Sequence, residues 1–216
     1  MSLVKELFFP TPVYYLDLEE SGALNQFLKT RIYSWRDRDQ HGIVRSNVKQ
    51  VGAWHSETTM NNRVEFKLFV DKVTEQINAV FKDQLYSENH EAFCMNMWAN
   101  INPQHGYNRS HIHPGALWSG AYYVNTPIDC GRIVFLDPRP ESQMLVIDKQ
   151  DKTTTGPEQW AEVFHQAIAG RLVLFPSWLR HEVEPNITSI PSPEGDRVSI
   201  SFNYGQRLKR EKSNKD

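Results

Sequence analysis

A change of period near residue 90 limits this chain more than any other feature. Before it, apolar residues recur every three or four positions, and after it they recur every second position. Leu24, Phe27, Leu28, Ile32 and Trp35 share one helical face. Phe66, Phe69, Val70, Val73, Ile77, Val80 and Phe81 trace a second, stronger amphipathic helix, with Asn62 and Glu65 as the expected capping pair at its start. From Ala92 to Asn102 the alternation puts Phe93, Met95, Met97, Ala99 and Ile101 on one side of a strand. Cys94, Asn96, Trp98, Asn100 and Asn102 fall on the other.

Further strands are expected at Leu117–Asn125, Arg132–Leu136, Met144–Asp148, Arg171–Phe175 and Val198–Tyr204. Turn signals at Thr126-Pro127, Asp137-Pro138, Gly156-Pro157 and Pro191–Gly195 separate them. Leu7–Tyr15, interrupted by Pro10 and Pro12, suits an edge strand, because proline cannot donate to a ladder. The polar stretch Arg36–Gln50 reads as a linker. Helices come first and strands follow without helices between them. The expected fold is therefore mainly β with flanking helices, an antiparallel barrel or jelly roll rather than a parallel doubly wound sheet. The division expected is one domain over residues 1–206, with helical support at 16–90, a strand core at 92–205, and a charged tail at 207–216.

Composition excludes several function classes. A net charge of −2 offers no broad basic face for nucleic acid, and no apolar segment reaches membrane length. Two cysteines, Cys94 and Cys130, are too few for a disulfide framework and are expected reduced. The N-terminus has no signal-length apolar run, so the expectation is a soluble intracellular, cytoplasmic protein. Oligomeric state is not readable.

The chemistry concentrates around NRSHIHPGALWSGAYY. His111 and His113 are two apart, and on extended chain such residues point the same way and can reach one ion. The best third ligand is His181 in PSWLRHEVEP, after the strand GRLVLF. Imidazole suits iron, zinc, copper or nickel. In RVSISFNY, Arg197 and Ser199 share a face opposite Val198, Ile200 and Phe202. An inward guanidinium needs a partner, and a carboxylate taken bidentately fits. His55, a histidine without a spaced partner, is expected to be structural or exposed.

HIHPGALWSGAYYVN, GRLVLFPSWLRHEVEPN and RVSISFNY, in this order, resemble the 2-oxoglutarate and iron(II)-dependent oxygenases of the prolyl 4-hydroxylase-like branch. LFFPTPVYYL and GAWHSE further resemble the start of a microbial and phage subgroup. The resemblance implies a double-stranded β-helix, the cupin-like jelly roll, with Fe(II), 2-oxoglutarate and O2 as cofactors. It also implies hydroxylation of an unactivated C–H bond with release of succinate and CO2. The substrate, a protein side chain or a small molecule, stays open. The family holds iron by an HxD or HxE pair and a distant histidine, so His111 and His181 match while His113 stands where a carboxylate is usual. Three readings follow: His113 ligates, water or another anion fills the position, or a nearby acid such as Asp137 or Glu182 substitutes. Glu182 suits poorly, because a ligand's neighbour on extended chain points away. The resemblance further implies Arg197 on the distal carboxylate of 2-oxoglutarate, with Ser199 and Tyr123 supporting it and Asn102 nearby. Tyr122 should face the core. Trp98, Trp118 and Trp178 are candidates for a substrate cleft or for the core. Two other classes compete: a cupin-like three-histidine metalloenzyme that does not use 2-oxoglutarate, and a non-catalytic jelly-roll binding module.

Overall fold

In the computed structural model, residues 2–46, 48–139, 141, 144 and 159–209 are described. Within them lie three α-helices and ten strands. The helices are α1 (Ser21–Arg38), α2 (His41–Arg45) and α3 (Lys67–Asp83). The strands are β1 (Tyr14–Asp17), β2 (Trp54–His55), β3 (His90–Asn102), β4 (Asn108–His111), β5 (Trp118–Asn125), β6 (Arg132–Leu136), β7 (Glu162–Gln166), β8 (Arg171–Pro176), β9 (His181–Val183) and β10 (Arg197–Leu208). They form two sheets, β1-β8-β5-β10-β3-β2 and β4-β9-β6-β7, in which every ladder pairing among the described residues is antiparallel. This is the antiparallel jelly roll with outside helices that the change of period implied, and the double-stranded β-helix that the family resemblance implied.

The larger sheet has two differently populated faces, and that difference places the site. One face packs on α1 and α3. Leu28, Ile32, Trp35, Phe69, Val73, Ile77 and Phe81 meet Met97, Ala99, Ile101, Tyr122, Leu172, Ile200, Phe202 and Tyr204, all buried. Each large apolar side chain buried there contributes roughly 1.5–3 kcal/mol. Tyr122 faces this core as expected and donates to Asn25 Oδ1 at 2.6 Å. The opposite face turns to the smaller sheet over a second core of Tyr123, Ile133, Phe135, Val173, Phe175 and Leu179.

On β10 the alternation therefore sends Val198, Ile200, Phe202 and Tyr204 into the helix-side core. It sends Arg197, Ser199, Ser201 and Asn203 between the sheets. Their cross-strand partners on β3 are Asn102, Asn100, Trp98 and Asn96. On β5, Ser199, Ser201 and Asn203 pair with Tyr123, Ala121 and Ser119. Gly120 permits the Phe202 ring to pack closely over β5, because a Cβ there would lie 2.5 Å from that ring and 2.6 Å from the Val173 carbonyl oxygen.

Several sequence expectations need correction. The edge strand is only Tyr14–Asp17, while Leu7, Phe8 and Phe9 stay exposed ahead of it. The two prolines and the positive φ of Phe9 keep that segment out of the ladder. The presumed linker contains α2. Asn62 and Glu65 do not cap α3. They sit in successive 3-10 turns, Met60–Asn62 and Val64–Phe66, and the helix opens at Lys67 without a side-chain cap. Alternation along β3 changes phase at a bulge near Met95, so Phe93 and Met95 are part-exposed while Met97, Ala99 and Ile101 are buried. Strand β10 continues to Leu208, and Arg207 bonds Glu91 at 2.8 Å where a tail was expected. Both cysteines are free. The expected strand Met144–Asp148 and turn Gly156-Pro157 lie outside the described residues, Met144 apart. No described helix is long and apolar enough to cross a membrane.

Candidate metal centre

The smaller sheet assembles the histidines. The antiparallel register of β4 and β9 sets His111 directly opposite His181. His113 lies just past the end of β4, where its backbone N–H donates to the Ser177 carbonyl at 2.9 Å. The ring centroids are 4.3 Å apart for His111 and His181, and 5.0 Å apart for each of the other two pairs. One nitrogen from each ring lies within 4.8 Å of those of the other two, close enough for a single ion. Among the described residues this is the one such cluster of His, Cys, Asp or Glu, and it contains no carboxylate.

The outer nitrogen of every ring faces an oxygen. His111 Nδ1 lies 2.6 Å from the Arg109 carbonyl and His181 Nδ1 lies 2.9 Å from the Leu179 carbonyl. His113 Nδ1 lies 2.5 Å from Asn203 Oδ1 and 3.0 Å from Ser119 Oγ. A carbonyl oxygen can only accept, so each Nδ1 carries the proton and each Nε2 keeps its lone pair for a metal. Burial, and then the neighbouring His111, push the His181 pKa down to about 3. Burial also lowers that of His113, with His111 adding to it and the Asn203 bond opposing it. Neutral imidazole is the form a metal needs. Phe175, 4.5 Å from the His181 ring centroid, and Phe135, at 6.2 Å, hold that ring in place. The donor set fits iron(II), which imidazole suits.

The same pocket is lined by Trp98, Asn100, Asn108, Tyr123, Arg197, Ser199 and Ser201 beside the three histidines. Arg197 is 1% exposed. Its guanidinium donates to the carbonyls of Cys130, Glu184 (2.9 Å) and Gly106 (3.3 Å), and no described carboxylate pairs with it. Glu184 is instead committed to Arg132 at 2.5 and 2.8 Å. Gly131, at φ +85°, keeps the chain close to Arg197, since a Cβ there would come within 2.9 Å of Nη1. Burial lowers the Arg197 pKa, and the nearby Tyr123 and Cys130 oppose that. The Tyr123 hydroxyl pKa is raised by burial against the opposing field of Arg197.

The expected residues thus come together, with one exception. Asn102 pairs with Arg197 across the ladder but does not line the pocket, and its carbonyl accepts from Asn186 at 3.0 Å. Asn100, two residues earlier, lines it instead and donates to Ser201 at 3.2 Å. Ser119, Ser201 and Asn203 were not singled out, although the alternation that selected Arg197 and Ser199 continues to the latter two. Asp137 bonds Arg139 and lies outside the histidine cluster, as does Glu182. Trp98 lines the pocket, Trp118 is in the helix-side core and Trp178 is exposed. His55 stacks on Trp98 at 5.5 Å and 15°.

A double-stranded β-helix enclosing three metal-ready imidazoles defines a β-helix metal centre of the oxygenase and cupin class. A family profile described as "Putative 2OG-Fe(II) oxygenase" matches residues 96–203, half of the 216-residue chain. The chain belongs to this family of 2-oxoglutarate and iron(II)-dependent oxygenases, which decides against the two competing classes. Iron(II) and 2-oxoglutarate are accordingly its metal and cosubstrate.

The fold is shared with solved structures. A Pseudomonas putida prolyl-4-hydroxylase superposes with TM-score 0.59 at 14% identity, covering 93% of this chain and 94% of that one. A Trichoplax adhaerens prolyl hydroxylase, solved with a hypoxia inducible factor oxygen degradation domain peptide fragment, gives TM-score 0.56 at 16% identity, covering 89% and 82%. HygX from Streptomyces hygroscopicus with nickel and 2-oxoglutarate bound gives 0.57 at 10% identity, covering 90% and 82%. A comparison with curated proteins finds no match.

Proposed function

We propose that this chain is a hydroxylase in which His111, His113 and His181 hold iron(II) through Nε2, and Arg197, Ser199 and Tyr123 hold 2-oxoglutarate. The observation that carries the cosubstrate assignment is the buried Arg197 guanidinium. It has carbonyl oxygens around it but no described carboxylate, in the pocket that also contains the histidines. An unpaired cation at 1% exposure is costly, and a dianionic ligand relieves that cost where neutral carbonyls do so only in part.

When bound, iron(II) with 2-oxoglutarate and O2 supplies an oxidising centre able to hydroxylate a C–H bond, with succinate and CO2 as by-products. The chain's own residues do the rest. Arg197 and Ser199 fix the distal carboxylate, and the Tyr123 hydroxyl, kept protonated by burial, donates to the same end. Ile133, Phe175 and Val183 line the pocket with apolar surface that limits water around the reacting centre. Trp98, which contacts the rings of His55 and His113, lines the pocket and offers an apolar wall for substrate. Structural neighbours include a protein hydroxylase solved with a peptide, which supports a protein side chain as one substrate class and leaves a small metabolite as the other.

The test is anaerobic addition of 2-oxoglutarate to protein loaded with iron(II). A weak visible metal-to-ligand absorption band should develop, and Arg197→Ala and His181→Ala should each abolish it. Loaded wild-type protein without a band would refute the cosubstrate assignment. Succinate release across a peptide and metabolite panel would then identify the substrate class.

A further inference from the structure

The three histidines are not held alike. His111 and His181 are oriented by main-chain carbonyls, which no side-chain replacement removes. His113 is oriented by side chains alone. Its Nδ1 lies 2.5 Å from Asn203 Oδ1 and 3.0 Å from Ser119 Oγ. Ser119 also donates to Asn203 Oδ1 at 2.6 Å and shares a 2.7 Å hydrogen bond with Ser177 Oγ. Asn203 Nδ2 donates to Asn96 Oδ1 at 2.8 Å. Ser119 and Ser177 are fully buried and Asn203 is 9% exposed.

In this network Asn203 is held at both ends of its amide. Its amide nitrogen donates to the Asn96 oxygen, and its own oxygen faces His113 and Ser119. Two acceptors cannot face each other at 2.5 Å, so the His113 proton sits on Nδ1 and the lone pair on Nε2. β10 and β5 supply the geometry, since Asn203 pairs with Ser119 in register and both point between the sheets.

We propose that Asn203, seconded by Ser119, is the positioning residue that makes His113 a metal ligand at the place where the family usually has a carboxylate. The proposal rests on the three-histidine site above. Because the acceptor is a neutral amide, the imidazole is oriented without any negative charge being added, and the centre stays more positive than one holding a carboxylate. An Asn203→Asp change would restore an anion one residue further out, as an acceptor of the same shape.

The experiment is anaerobic titration of metal-free full-length protein with cobalt(II), reading affinity and the visible d–d spectrum without turnover. Removing such an outer partner of a ligating histidine typically weakens metal affinity 10–100-fold. Asn203→Leu should show that loss, Ser119→Ala a smaller one, and Asn203→Asp should bind at least as tightly as wild type. In the double variant His113→Ala/Asn203→Leu, the loss should equal that of His113→Ala alone, because Asn203 acts only through His113. An independent structural contribution would instead make the losses multiply, and would overturn the proposal. So would wild-type affinity and spectrum in Asn203→Leu. If Asn203→Leu does not fold, tightened or unchanged binding in Asn203→Asp together with weakened binding in Ser119→Ala supports the proposal, and any other pairing overturns it. Failure of the underlying site would look different: His113→Ala and His181→Ala would both bind cobalt as wild type does.

Discussion

Replacing Arg197 by methionine separates the fold's need for this residue from the cosubstrate's. In the free protein two large terms oppose. Three carbonyl oxygens, those of Gly106, Cys130 and Glu184, lose donors, at about 1–3 kcal/mol for each left unpaired. Against this, a cation 1% exposed is no longer withheld from water, a relief of several kcal/mol. The net change in folding stability should therefore be small. Binding has no such offset. Truncating one partner of a buried, hydrogen-bonded charge pair costs about 2–5 kcal/mol, or roughly 30- to 4,000-fold in affinity. The assay is the thermal shift caused by 2-oxoglutarate in protein loaded with nickel(II), which permits binding without turnover. At a hundredfold excess over Kd, wild type gains about 2.7 kcal/mol, or roughly 5–10 °C for a chain of this size. At the same concentration Arg197→Met should shift by about 3 °C or less. A variant that folds normally and keeps the full shift would refute the placement of the cosubstrate carboxylate on Arg197.

Other consequences can be checked by simpler means. Gly120→Ala should lose about 1–3 kcal/mol in denaturant unfolding, because its Cβ would stand 2.6 Å from the Val173 carbonyl oxygen, which cannot swing aside. Phe202→Ala, emptying a fully buried position, should cost about 3–5 kcal/mol by the same measurement. Prolonged chelation should abolish succinate release but leave the far-ultraviolet circular dichroism unchanged, since neither apolar core is built on the histidines; cooperative unfolding on chelation would contradict this. The Arg132 pair holds the Glu184 carboxyl below the usual glutamate range. Its stabilisation is thus present above the unfolded-state pKa and fades as pH falls through the lower folded value. Because both partners are about a third exposed, Glu184→Gln should remove under about 1 kcal/mol of that acid-side dependence.

The strand β6 was expected with its observed bounds, and β5, β8 and β10 within a few residues at each end, because β6 and β8 are continuous apolar runs bounded by turn signals, β5 is rich in aromatic residues and β10 alternates from Arg197 to Phe202. Strands β4 and β9, of four and three residues, are too short to show a period. β7 is mostly exposed along its length, so burial imposes no pattern on its residues. The failed cap at Asn62 has a related cause: spacing fits a capping box, but the preceding 3-10 turns use the same residues differently. Among the candidate site residues, His111, His181 and Arg197 were legible because a charged or metal-ready group on a strand face is conspicuous. Asn203 and Ser119 are ordinary polar residues until a ring nitrogen is seen 2.5 Å and 3.0 Å away.

The sequence by itself determined that helices precede the strand-rich half, which faces of α3 and β10 would be apolar, and which groups could bind a metal or an anion. Those properties follow from local period and side-chain chemistry. The tertiary structure decided which of them meet. It set His111 opposite His181 and gave His113 a side-chain acceptor where the others have main-chain carbonyls. It also ringed Arg197 with carbonyls drawn from three separate segments. These contacts, between residues up to 91 positions apart, depend on strand register and sheet stacking, and no local pattern in the chain encodes them.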